Sequence, residues 1–349
     1  MSTKAQNSKR ILAFVIVSLV IAAIFIYITF FRGRKMVVLP ESAKKTVLIQ
    51  RFDQDLYERR AELTPSSMAS FRSGYGSFFK LYVEELIAVA GSRDPELHLE
   101  VQNFLSDPYI DTVYQETLAA FAEVTDIEAQ LSEAFSYYYY FFPQAQSYSV
   151  ISFVSGFQYK NALTDSALLL GLDLHLGRNY KYYPQVAYLS NYMLSRLDRQ
   201  HLVPDAMKVM VEDLLPPYLS ETNLLNAMLI AGKTQYALKS ILPNTPDSIL
   251  FSYTSAQMDW ANQNELAIWE YLLNENLLYS ADVNAIARLL NDGPFTTGLP
   301  QESAPRIAAF AASKLVNRFM ERYPNISIAE LFEMNAQEIV KKAKYKGKS

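Results

Sequence analysis

The chain has 349 residues and no cysteine, which excludes disulfides, thiolate metal sites and cysteine nucleophiles. Half of its residues are hydrophobic and 19% are charged, a balance that supports a sizeable core and excludes wholesale disorder. The net charge of −4 lacks the basic excess that a nucleic-acid surface needs, so no nucleic-acid partner is expected.

Residues 1–10 are a short tail carrying Lys4, Lys9 and Arg10. Ile11 to Phe31 follows without a single charge, and 15 of its 21 residues are Ile, Leu, Val or Phe. As a helix it spans about 31 Å, against a hydrocarbon core of about 30 Å. Its insertion is favoured by roughly 4 to 9 kcal/mol. The segment is therefore expected to be a transmembrane helix, anchored by residues such as Ile11, Phe14, Ile21 and Phe31. It is longer than a signal-peptide core and ends in Thr29-Phe30-Phe31-Arg32 rather than a small-x-small site, which points to an uncleaved signal anchor. Basic residues flank both ends, so the positive-inside count does not orient it. Residues 32–45 read as a basic linker.

Residues 46–349 contain no Gly/Ser- or Pro-rich linker and read as one domain. Beyond residue 40 stand 26 basic and 36 acidic residues, a charge near −10. The expected fold class is α+β, mostly helical with a small sheet. Helices are expected over Ser66 to Val89, Pro95 to Leu105 and Glu128 to Tyr139, where broad apolar faces recur between prolines. Tyr148 to Phe157 and Ala167 to Leu176 read as a hairpin or two sheet strands, separated by a polar turn around Asn161 to Asp165. Leu168 to Leu172 is apolar on both faces, which makes the second strand central and covered. After Pro184 a helical stripe returns at Val186, Leu189, Met193 and Leu197. Leu224 to Ala231 reads as a helix buried on most sides. Ile307, Ala311, Leu315 and Phe319 pair with Ala308, Ala312, Val316 and Met320 in a core-docking helix, with Lys314, Arg318 and Arg322 off the stripe. The five lysines between Lys341 and Lys348 read as a solvated terminus suited to a helix dipole.

Chemistry is sparse. His98, His175 and His201 show no HxH, HxxxH or HExxH spacing, and no Gly-rich phosphate loop or GxSxG elbow occurs. Glu84-Glu85, Glu212-Asp213 and Asp205 are conceivable catalytic carboxylates but read as solvated acids. No cofactor is expected. Tyr137-Tyr138-Tyr139-Tyr140-Phe141-Phe142 is read as packing with a polar rim, or as a protein or carbohydrate contact through Tyr138 and Tyr140.

Several segments, taken in order, resemble the gliding-motility lipoprotein GldB family of the Bacteroidetes. They are Arg51-Phe52-Asp53; Gly171 to Gly177, with Asp173, leading into Tyr180 to Tyr183; Val203 to Lys208 around Asp205; and Met228 to Tyr236 around Gly232-Lys233. Leu242-Pro243 with Asp247-Ser248, Trp269 to Tyr279, Asp292 to Thr296 around Gly293-Pro294, Arg306 and Lys344 to Lys346 complete the series. The resemblance implies a periplasm-facing domain at the cell membrane, partnered by other envelope proteins of the gliding and type IX secretion machinery. It further implies a distant, degenerate likeness to predicted zincin-type metalloproteases. Glu212 would stand for the catalytic glutamate, Val211 and Leu215 for two histidines, and Ala231-Gly232 for Glu-Gly. Apolar residues cannot hold zinc, so a non-enzymatic role is expected. A metal-dependent peptidase with a rearranged site and a glycan- or peptidoglycan-binding module are the alternatives. Family members anchor through an acylated cysteine; this chain has none, which leaves Ile11 to Phe31 to hold the domain at the membrane.

Overall fold

A computed structural model describes residues 37–216 and 223–347. The expected span, with Ile11, Phe14, Ile21 and Phe31, lies outside them. Among the described residues no helix is long and apolar enough to cross a membrane. From Leu39 onward the chain forms one compact unit.

Strand β1 (Ile49–Arg51) runs directly into helix α1 (Phe52–Glu58). Helix α2 (Pro65–Leu81) begins at a capping box: Thr64 Oγ1 accepts from Ser67 N at 3.2 Å, and Ser67 Oγ accepts from Thr64 N at 2.7 Å. It kinks at Gly76, where φ is 55°, and passes into a π turn over Tyr82–Leu86. Helices α3 (Leu97–Ser106), α4 (Pro108–Ala120) and α5 (Thr125–Phe141) follow. Pro108, expected only to punctuate, opens α4: it sits in the first turn while Asp107 caps the N–H groups of Tyr109 and Ile110.

The sheet comprises β1, β2 (Ser149–Phe153), β3 (Asn161–Leu163) and β4 (Ala167–Gly171), in the order β1-β2-β4-β3. β1, β2 and β4 are parallel, with Val150 opposite Ile49 and Leu168. The two expected strands are therefore parallel neighbours and not a hairpin. The hairpin is β3–β4, and its first strand lies within the stretch expected as a polar turn. Every residue of β4 is buried, in keeping with its interior place.

Beyond the sheet come α6 (Asn191–Leu194), α7 (Arg199–Asp213), α8 (Leu224–Ile241), α9 (Asp247–Phe251) and α10 (Ser255–Gln263). Then come α11 (Glu265–Asn274), α12 (Val283–Leu290), α13 (Ile307–Arg322), α14 (Ile328–Glu333) and α15 (Ala336–Ala343). The helix expected from Val186 shrinks to the four residues of α6. Leu189 N bonds Val186 O and Met193 N bonds Ser190 O, so single i→i+3 turns replace it. Leu189 and Leu197 are still buried; burial, not helical period, spaced these apolar residues. His175, expected in a strand, lies in a 3₁₀ turn over Leu172–His175.

The core includes two large apolar clusters. In the first, the Phe52 ring meets Phe71, Tyr75, Phe78 and Tyr82 edge-on, with centroids 4.7–5.8 Å away. The second packs α8 against α13, whose expected stripe from Ile307 to Met320 is buried throughout. The chain entering β1 is held by α5. Lys45 N donates to Ser136 Oγ, Val47 N to Ser132 Oγ and Ile49 N to Glu128 Oε1, at 2.7–2.9 Å. Two residues of extended chain advance about 6.6 Å and four of a helix about 6 Å, so alternate N–H groups meet every fourth side chain. This occupies donors that an open sheet edge would present to another chain.

Gly232 lies where α8 and α13 cross, and a Cβ there would come 2.8 Å from the backbone C and O of Ala312. Gly232→Ala should cost about 1–3 kcal/mol, read as a lower urea midpoint with unchanged m-value. Wild-type stability in this variant would show that the helices do not depend on this approach.

Candidate functional site

In open parallel sheets, ligands sit outside the carboxyl ends of the strands. Here that edge is filled by the protein's own side chains. At the end of β1, the fully buried Asp53 pairs with Arg51 Nη2 at 2.7 Å and accepts from Ser152 Oγ at 2.5 Å. Arg51 also donates to Phe121 O at 2.8 Å. A buried carboxylate is tolerated only with such partners.

After β2 the chain turns through Gly156 and Phe157, with φ of 69° and 67°. The N–H groups of Ser155 and Phe157 donate to Asp173 Oδ2 at 3.2 and 2.6 Å. Tyr183 O–H donates to the Asp173 carbonyl at 2.8 Å. Beneath this turn, Tyr82 O–H donates to Val154 O at 2.9 Å and lies 2.7 Å from the Tyr114 hydroxyl. Asp173 is fully buried; burial raises its carboxyl to about 6, against the pull of the N–H groups around it.

At the end of β4, His175 Nδ1 lies 2.9 Å from Gly171 O, so Nδ1 carries the proton. Burial lowers the affinity of this ring for a second proton. Its Nε2 faces Asp205 Oδ2 at 3.9 Å, and Lys160 Nζ lies 2.5 Å from the same oxygen. Burial pushes the Asp205 carboxyl up, but the Lys160 ammonium outweighs it and holds the group well below the usual range. Gly171 admits this crossing: a Cβ would lie 2.3 Å from Tyr159 O. Sequence reasoning singled out Asp173 and Asp205, and the structure brings both to this edge. It passed over Lys160 and took His175 as ordinary, because their partners lie 45 and 30 positions away. Among the described residues no group of three His, Cys, Asp or Glu could hold a metal ion.

The remaining singled-out residues serve packing. Gly177 has φ of 102°, and its N–H donates to Leu197 O at 2.7 Å. Lys233 is 2% exposed and donates to Phe332 O and Met334 O at 3.0 and 2.6 Å, closing the end of α14. Burial lowers its ammonium to about 8. Tyr236 packs partly buried on the second cluster. Arg306, in the left-handed region at φ 52°, donates to Phe251 O and lies 3.7 Å from Asp292, which also binds Arg196. Beside them, Gly293 precedes Pro294, whose carbonyl accepts from Gln257 at 2.8 Å. Tyr138 is 1% exposed and so is no contact residue; Tyr140 is 45% exposed. Of the four-tyrosine run, Tyr137 and Tyr138 are buried, Tyr139 is half-buried and Tyr140 is exposed. Val211 is buried, and Glu212 lies 3.7 Å from Lys208 on the surface.

An open cleft of about 490 Å³ lies elsewhere, between α5, the start of α7 and the turn joining α8 to α9. Arg199 fixes one side by binding both oxygens of Asp126 and the carbonyls of Ala120 and Glu123. Asn244 bonds Glu133 at 3.1 Å across it. Its residues come from three distant segments, and of them the sequence marked only Leu242 and Pro243, as part of the family resemblance.

Two titrations follow. Asp173 binds its proton more tightly folded than unfolded, so its ionisation costs stability as pH rises from about 4 towards 6. Relative to Asp173→Asn, the wild type should gain unfolding free energy when the pH falls from 7 to 4.5. For Lys233 the unfolded chain holds the proton between about 8 and 10.5, so wild-type stability should rise across that window relative to Lys233→Met. Denaturant titrations at each pH check both signs.

No curated protein and no solved structure matches the chain. A family model matches from residue 36 to residue 347, nearly the whole described chain. The chain belongs to the family of the gliding motility protein GldB.

Proposed function

We propose that the chain is a non-enzymatic, membrane-anchored component of the envelope machinery for gliding and type IX secretion. Its domain faces the periplasm and works by contact with other proteins of that machinery. Family membership across residues 36–347 is the observation that carries this reading. Support for anchoring comes from the 21 uncharged residues of Ile11 to Phe31. Support for a non-enzymatic role comes from the carboxyl edge of the sheet, where Asp53 and the Asp173 Oδ2 oxygen are held by internal partners. The apolar residues Val211, Leu215 and Ala231 at the positions a zincin would use for ligands point the same way.

A metal-dependent reading draws on one contact, the His175 Nε2 lone pair facing Asp205 at 3.9 Å. Elemental analysis of the purified full chain separates the two: the expected result is less than 0.1 zinc per chain. Stoichiometric zinc that disappears in His175→Ala would establish the enzyme-like alternative. Deletion in a gliding host should abolish gliding, scored by colony spreading. Normal spreading and secretion in the deletion strain would overturn the machinery assignment.

A further inference from the structure

We propose that the cleft between α5, α7 and the α8–α9 turn binds an extended peptide segment of a partner protein, one that alternates basic and apolar residues. The inference rests on the protein-contact reading above and names where that contact is made. About 490 Å³ lies within the range of ligand-binding clefts. Its polar residues Gln130, Glu133, Gln200 and Asn244 are exposed, whereas Leu242 is buried and Pro243 and Ile249 are half-buried. A polar rim therefore stands over an apolar base. An extended peptide sends alternate side chains to opposite faces, so one set can lie on that base while the other reaches the rim.

The rim selects by charge. Asp126 is neutralised by Arg199, whose fork is committed to it and to two carbonyls. Glu133 lies in no ion pair among the described residues and is held only by the Asn244 amide. The cleft thus keeps an uncompensated negative charge, which favours lysine or arginine and opposes phosphates and acidic chains. Gln130 makes no hydrogen bond to a described residue, so its amide offers a donor and an acceptor to a peptide group. No aromatic ring lines the cleft, so a sugar or base would find no stacking platform. The walls are set before binding: Lys239 donates to Thr245 O at 2.8 Å and pairs with Asp247 at 2.9 Å, which fixes the turn.

The test is fluorescence anisotropy on the full chain in detergent. The probes are a labelled octapeptide alternating lysine and valine and its counterpart with glutamate for lysine. The lysine peptide should bind at least tenfold tighter. Glu133→Lys should reverse that order, while Glu321→Lys, at an exposed position that does not line the cleft, should leave it unchanged; thermal melts confirm that both variants fold. Equal binding of the two peptides, absence of binding, or an equal response to both substitutions would overturn the proposal, the last showing general attraction to an acidic domain. Complementing a deletion strain separates this from the machinery assignment. If deletion stops gliding and Glu133→Lys restores it fully, the cleft is excluded while the assignment stands. If deletion has no effect, the assignment fails and the peptide titration still decides the cleft.

Discussion

The fold turns on placing three carboxylates at one end of a small, mostly parallel sheet. Asp53, Asp173 and Asp205 follow β1, follow β4 and reach in from α7, and each is held by a group from another segment: Ser152, Phe157 and Lys160 in turn. An ionised carboxylate out of water is costly unless it is paired and hydrogen-bonded. The loops after β2 and β4 and the start of α1 are therefore fixed relative to one another.

The second half of the molecule solves a different problem. Helices α8 and α13 approach closely through Gly232 and Ala312, and α8 carries Lys233 inward at the next position. An ammonium here finds no carboxylate and instead meets two carbonyls at the end of α14. Terminal helix carbonyls have no intrahelical partners and carry partial negative charge, so a buried cation is tolerated. Adjacent residues thus have opposite requirements, one for the absence of a side chain and one for its full length.

Surface and core are allotted in a way that composition hides. A chain with 24 tyrosines invites a reading of sticky surface, yet Tyr82, Tyr114, Tyr138 and Tyr183 are all within 1% of full burial. The hydroxyls of Tyr82, Tyr114 and Tyr183 meet carbonyls, an N–H group or one another. Tyrosine serves here as a phenylalanine that can also satisfy a loop carbonyl. The cleft on α5, by contrast, is made of glutamine, asparagine, glutamate and proline, residues that no periodicity argument selects.

By itself the residue string determined the uncharged stretch from Ile11 to Phe31, the α+β class, the buried stripe of α13, the apolar β4 and the family, because each is written in local spacing or ordered motifs. Helix from Val186 was misread since its apolar residues are spaced by burial in the first cluster, and β3 was missed because a three-residue edge strand has too little pattern to show. Only the tertiary structure decided that β2 and β4 run parallel, since pairing direction depends on where the chain between them goes. Only it could turn Gly232-Lys233 from a motif into a helix crossing and a cap, and bring Gln130, Gln200 and Asn244 around one cleft. Those outcomes rest on contacts between residues tens of positions apart, which spacing along the chain does not encode.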